Sequence, residues 1–155
     1  WEHLDRADII SGSYCGLGVD PGTDTCQSTD ATDDEAAIGV NVPASRYTPG
    51  GYTVDYIDAL GANSATEEKI YLTLGAEQSG LPTWGAILSP IDAQNIDNKM
   101  DDGVPNSGSV IASLGGADPA NASAGASACH TDNTGANYDL ASSDKGCILS
   151  FSTTP

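Results

Sequence analysis

Apolar and polar residues alternate with a period of two in segments 52–56 and 70–74 of the chain. This alternation is typical of β-strands, and the polar stretch 61–68 between the two segments suits the connection of an antiparallel hairpin. Further candidates for extended structure are the short apolar segments 84–88, 110–114 and 147–151. The pattern predicts a small antiparallel sheet.

A helix is predicted between residues 89 and 100, because both of its ends carry recognisable signals. Ser89 can serve as the N-cap, Pro90 fits the first helical position, and Asp92 can act as the partner of the cap. Three apolar residues then recur on one face that we expect to be buried: Ala93, Ile96 and Met100. The helix is predicted to stop at an Asp-Asp-Gly turn, in which Gly103 needs a backbone conformation closed to other residues.

The ends of the chain complete the expected architecture. Residues 1–10 read as the last turns of a helix, with Gly12 as its stop. The stretch 115–146 is rich in Ala, Gly, Ser and Asn, as long loops are. We therefore expect a single α+β domain over 1–155, in which a short N-terminal helix stub packs on a small antiparallel β-sheet with long disulfide-stapled loops.

The four cysteines form two locally spaced pairs, and their number points to a compartment outside the cytoplasm. Cys15 and Cys26 lie 11 residues apart, Cys129 and Cys147 lie 18 apart, and neither pair has a CxxC spacing. Local pairing, Cys15–Cys26 and Cys129–Cys147, is the simplest of the three possible connectivities. We expect both bonds to be structural, since a catalytic dithiol would need adjacent cysteines.

The charge of the chain is strongly one-sided. Five Lys and Arg residues face 22 Asp and Glu residues, which gives a net charge of −17. Such a surface repels nucleic acid and anionic lipid, so neither is an expected partner. Two explanations of the acidity stay open: solubility in saline surroundings, and the binding of divalent cations.

Oxygen-rich side chains are concentrated in the loop between Cys129 and Cys147. Asp132, Asp139 and Asp144 are our candidates for a calcium site there, because calcium prefers oxygen ligands at short spacing. The alternative is a solvated loop with Asn and Asp turns. Asn121, in Asn-Ala-Ser, matches a glycosylation acceptor, a motif that also occurs often by chance.

Catalytic motifs are not found in the sequence. It has neither a Gly-x-Ser-x-Gly elbow nor a glycine-rich phosphate loop. We expect the two histidines, His3 and His130, to be structural or solvated, and we expect no catalytic residue.

Two segments resemble the globular domains of type IV pilin-like proteins, the group of pilins, minor pilins and pseudopilins. Residues 91–108 read IDAQNIDNKMDDGVPNSG, and residues 1–14 open with WEHL and continue to IISGSY. The C-terminal cysteine pair is a third, partial match. The resemblance covers about a fifth of the chain.

This resemblance implies a non-enzymatic structural subunit of an extracellular pilus or, if the chain is a pseudopilin, of a periplasmic pseudopilus. The expected partners are copies of the chain or other pilin subunits, with head-to-head contacts at the loop 20–35 and at the C-terminal loop. Pilin-like proteins also carry an N-terminal apolar helix that anchors them and later packs in the filament core. Since the sequence lacks such a run, we expect that this helix was removed or belongs to a separate short helical pilin. Some pseudopilins bind calcium in the C-terminal loop, so the resemblance also favours calcium as a ligand.

Two other functions remain open. The first is a secreted calcium-dependent adhesin or carbohydrate-binding module, and the second is a secreted hydrolase. The residues before Trp1 distinguish the first from a pilin: an apolar stretch of about 20 residues favours a pilin, and a cleavable signal peptide favours the module.

Overall fold

The computed structural model describes residues 35–57, 69–116, 129–131 and 135–153, together with Leu4, 7–9, Ser11 and Tyr14 near the N-terminus. Within these residues, no helix is long and apolar enough to cross a membrane. The described part contains one regular helix and five strands, so the predicted α+β class is confirmed.

Five antiparallel strands form the sheet, in the order β1-β2-β5-β4, and β3 pairs with the far end of β2. The elements are β1 Gly51–Ile57, β2 Lys69–Gln78, β3 Leu81–Gly85, α1 Pro90–Met100, β4 Val110–Leu114 and β5 Cys147–Ser152. The C-terminal strand β5 therefore lies in the middle of the sheet, between β2 and β4. Strands β2 and β5, which lie far apart in the sequence, are thus joined by backbone hydrogen bonds.

The prediction of an extended piece at 84–88 was wrong in its position. The strand is Leu81–Gly85, and Leu88 instead forms an isolated bridge with Cys147. The reason is the hairpin: β3 follows β2 after a turn at residues 79–80 and pairs with it at once.

One face of the sheet buries a row of hydroxyl groups. Thr53 lies opposite Thr73, which lies opposite Ser150, and all three are fully buried. The hydroxyl oxygens of Thr73 and Ser150 are 3.1 Å apart, and those of Thr53 and Thr83 are 2.9 Å apart. Because these hydroxyls hydrogen-bond to one another, polar positions of the period-two pattern can lie inside the protein.

The opposite face carries the apolar core, which leaves one corner of that face uncovered. Helix α1 packs against β4 and β5. The core between them includes Leu88, Ala93, Val110, Ala112 and Leu149. Near one end of β1 and β2 the same face stays open: the exposed fractions of Val54, Tyr56 and Ile70 are 49%, 63% and 48%. We call these three side chains the sheet patch.

Helix α1 begins as predicted, and its buried face differs from the prediction at Met100. The Ser89 hydroxyl accepts a hydrogen bond from the Asp92 amide, and Pro90 is the first helical residue. Ala93 is buried, whereas the predicted Met100 is 62% exposed and Asp97 is fully buried in its place. The spacing from Ala93 to Asp97 is four residues, so both lie on one helical face.

The N-terminal helix stub is described at only a few positions, and its packing lies outside the described residues. Leu4 is helical, and its carbonyl accepts a hydrogen bond from the Ile9 amide at 2.9 Å. Asp8, between them, has a φ of +54°. This bond and this left-handed residue together form a common helix end. The helix therefore stops at Asp8 rather than at the predicted Gly12, since Asp tolerates the left-handed conformation.

Candidate functional site

Three carboxylates meet at the C-terminal end of helix α1. Asp97, Asp101 and Asp102 each offer an oxygen atom, and these atoms lie within 4.8 Å of one another. We call this group the aspartate cluster. Asp97 comes from the buried face of the helix, while Asp101 caps the helix and Asp102 opens the following turn.

Asp97 is the buried member of the aspartate cluster. One of its oxygens accepts a hydrogen bond from the Tyr138 hydroxyl at 2.8 Å, and the other accepts one from the Gly103 amide at 3.2 Å. Burial raises the pKa of Asp97, the two hydrogen bonds oppose this rise, and the nearby Asp102 and Asp101 add to it. Burial also raises the pKa of Tyr138, helped by its hydrogen bond to Asp97, so Tyr138 stays a donor.

The other two carboxylates organise the loop that leads into β4. Asp101 accepts hydrogen bonds from the amides of Ser109 and Val110. Asp102 accepts them from the Val104 amide at 2.8 Å and from the Ser107 hydroxyl at 2.7 Å. The aspartate cluster therefore connects the end of the helix to the sheet, because its carboxylates accept hydrogen bonds from backbone amides of the following loop and of β4.

Two glycines let the loop approach these carboxylates. Gly103 has a φ of +75° and Gly108 a φ of +79°, which confirms the special conformation predicted for Gly103. A Cβ atom at residue 103 would collide with the side chain of Asn98, and one at residue 108 would collide with the Asp101 carboxylate. Both positions thus require glycine for its backbone freedom and for the space.

Replacing Gly103 by valine is expected to lower the free energy of unfolding by about 1–2 kcal/mol from the left-handed backbone alone, and by more through the collision with Asn98. Chemical denaturation measures the change. Gly80→Val is the matched control, because Gly80 has a φ of +71° and open space around it. Equal losses in the two variants would show that the contact with Asn98 contributes nothing.

Chemically, the aspartate cluster has two ways to relieve its charge repulsion. Three carboxylates this close favour the uptake of a proton or of a cation with oxygen ligands. All three already accept hydrogen bonds from the protein, so the cluster also has a complete structural role without any ligand.

The predicted calcium residues are placed differently from the aspartate cluster. An oxygen of Asp139 accepts a hydrogen bond from the Ala141 amide, and the Asp144 amide donates to the Ser142 hydroxyl oxygen. Asp132 lies outside the described residues. Among the residues that are described, the group of three acids close enough to share an ion is the aspartate cluster. Calcium at Asp132, Asp139 and Asp144 stays a prediction.

The predicted Cys129–Cys147 disulfide is confirmed, and both cysteines are fully buried in the core. The Cys15–Cys26 pair, the acceptor Asn121 and His3 lie outside the described residues. His130 is buried, and its Nε2 atom lies 3.1 Å from the Ala112 carbonyl oxygen, which fits the structural role expected for it.

The sequence patterns did not indicate that Asp97 and Tyr138 form a hydrogen bond with each other. The available signal was the spacing of Asp97 from Ala93 on the predicted buried face. Tyr138 gave no local signal, because it reaches Asp97 from a loop 41 residues further along the chain.

No protein-family model, curated protein or solved structure matches this chain. The resemblance to pilins therefore rests on the sequence motifs.

Proposed function

We propose that this chain is the globular head of a type IV pilin-like subunit that assembles into an extracellular filament and performs no catalysis. The observation that carries the proposal is the structural role of segment 91–108, which connects helix α1 to the sheet. Asp101 and Asp102 hold the following loop, Gly103 and Gly108 allow its turns, and the Pro105 carbonyl accepts the Ala112 amide at 2.8 Å. The residues that carry the resemblance thus build a structural joint between helix and sheet.

The sheet patch supports the same proposal. Helix α1 packs against β4 and β5, and Val54, Tyr56 and Ile70 remain exposed on the same face near one end of β1 and β2. A helix is about 10 Å wide and neighbouring strands are about 4.8 Å apart, so one further apolar helix covers two strands. In the proposed filament this helix is the N-terminal core helix or the separate short pilin.

The acidity of the head bears on assembly. With a net charge of −17, identical heads repel one another at low ionic strength. Salt or divalent cations are then needed to bring the heads together, at the aspartate cluster or in the C-terminal loop. The buried disulfide is compatible with assembly outside the cell.

The test is to isolate surface filaments from cells that make the protein and to identify their subunits by mass spectrometry. We expect this chain to be a stoichiometric component of the filaments seen by electron microscopy. Recovery of the chain only as free secreted protein that binds glycans in the presence of calcium would support the adhesin or carbohydrate-binding module instead.

Replacing Ile70 by lysine is expected to reduce the filament yield strongly while leaving the head folded. A charge in the sheet patch opposes the packing of an apolar helix, whereas a half-exposed position costs little stability in the isolated head. Ile91→Lys is the matched control, because Ile91 lies on the outer side of α1 with the same exposed fraction, 48%. Filament yield is measured after shearing, and equal yields from the two variants would argue against a helix on this patch.

A further inference from the structure

A groove of about 510 Å³ lies where the loop 38–50 meets the β2–β3 hairpin. Its walls are mainly apolar, with Ile38, Pro49 and Ala76 among the lining residues, and Glu77 is the one charged residue that lines it. We call it the Glu77 groove. Apolar walls with a single carboxylate suit a side chain that has an aliphatic stem and a cationic end.

The Glu77 carboxylate is held at the wall of this groove. One of its oxygens accepts a hydrogen bond from the Ile38 amide, and the side chain is exposed. Within the described ranges, Glu77 has this amide as its partner and no ion pair. Its negative charge is therefore available to a cation from another molecule.

Among the described Lys and Arg residues, Lys69 is half-buried and already interacts within the chain, which leaves Arg46, Lys99 and Lys145 to supply that charge in a second copy. Arg46 and Lys145 are exposed but lie on the same side as the groove: Arg46 follows the lining residue Ser45, and Lys145 lies over the ring of Tyr47. A mutual contact through either of them would pair two copies face to face, which closes the assembly instead of extending it.

Lys99 lies at the other end of helix α1. The first turn of α1 lies on the same side as the groove, because Tyr47 belongs to the loop 38–50 and its hydroxyl donates a hydrogen bond to Asp92 at 3.2 Å. Lys99 follows Asp92 by seven residues, a rise of about 10 Å along the helix. It is exposed in the last turn, beside the 62% exposed Met100. These two side chains combine a long aliphatic cation with an apolar neighbour.

We infer that Lys99 and Met100 of one copy occupy the Glu77 groove of the next copy in the filament. This inference rests on the proposed filament function. The Lys99 ammonium pairs with the Glu77 carboxylate, and the lysine stem and Met100 lie against the apolar walls. Since donor and acceptor surfaces lie apart on each copy, the contact is head-to-tail, the kind of interface that extends into an open filament when the rotation between copies does not close a ring.

A charge swap in the full-length protein tests the inference. Glu77→Lys and Lys99→Glu are each expected to reduce filament yield roughly tenfold, and the combination of both changes in every copy is expected to restore it. Glu77→Gln keeps an acceptor for the Ile38 amide and should also weaken assembly, which separates lost charge from lost folding. Lys145→Glu is the matched control for Lys99→Glu, because it makes the same charge change outside the proposed contact and should leave the yield at the wild-type level.

If the Glu77→Lys and Lys99→Glu variants each form filaments at the wild-type yield, the contact is overturned and the proposed filament function is left intact. A wild-type chain that forms no filaments would overturn both. A disulfide between copies that carry Glu77→Cys and Met100→Cys, found in assembled filaments, would support the contact directly.

Discussion

Removing the Cys129–Cys147 bond is expected to lower the free energy of unfolding by about 2–4 kcal/mol. The bond closes the loop that carries Tyr138, and Cys147 begins the central strand β5. The amides of Ile87 and Leu88 both donate to the Cys147 carbonyl, so this residue also holds the segment that precedes helix α1. Loss of the bond should therefore loosen the joint between sheet and helix.

Denaturation of three variants measures this effect: Cys129→Ala, Cys147→Ala and the double variant. Either single change already removes the bond, so the double variant should lose much less than the sum of the two single losses. Strictly additive losses would mean that the two sulfur atoms act independently, and the role assigned to the bond would be dropped.

Replacing Tyr138 by phenylalanine is expected to cost about 1.5–3 kcal/mol when Asp97 is ionised, because a buried carboxylate then loses a hydrogen-bond donor. The cost should depend on pH with a defined sign. Burial raises the pKa of Asp97, so the native state keeps a proton at pH values where the unfolded chain has released it. Asp97 consequently lowers stability as the pH rises through that window.

The Tyr138 hydroxyl opposes this effect, since it stabilises the ionised form of Asp97. Its removal raises the pKa of Asp97 further, so the cost of Tyr138→Phe should be larger above the window than below it. Urea denaturation across a pH series measures this difference. In an Asp97→Asn background the cost should no longer change with pH across this window; a cost that still changed in the same way would place the titrating group elsewhere.

Local signals predicted much of the described fold. Strands β1, β4 and β5 lie where the apolar pattern placed them, and helix α1 starts at its predicted cap. The left-handed Gly103 was predicted in the same way. Each of these features depends on residues within a few positions of one another, through side-chain period, capping or backbone freedom.

The sequence by itself therefore indicated where β1, β2, β4, β5 and helix α1 form, made Cys129–Cys147 part of the simplest cysteine pairing, and indicated the need for glycine at residue 103. Only the tertiary structure decided which side chains are buried. The row of hydroxyls at Thr53, Thr73 and Ser150 lies inside, while the more apolar Val54 and Ile70 remain half exposed. Asp97 is buried in place of Met100 because Tyr138 reaches it from 41 residues away. Burying a polar group is tolerated when a partner satisfies its hydrogen bonds, and such partners are set by the fold rather than by neighbouring residues in the chain.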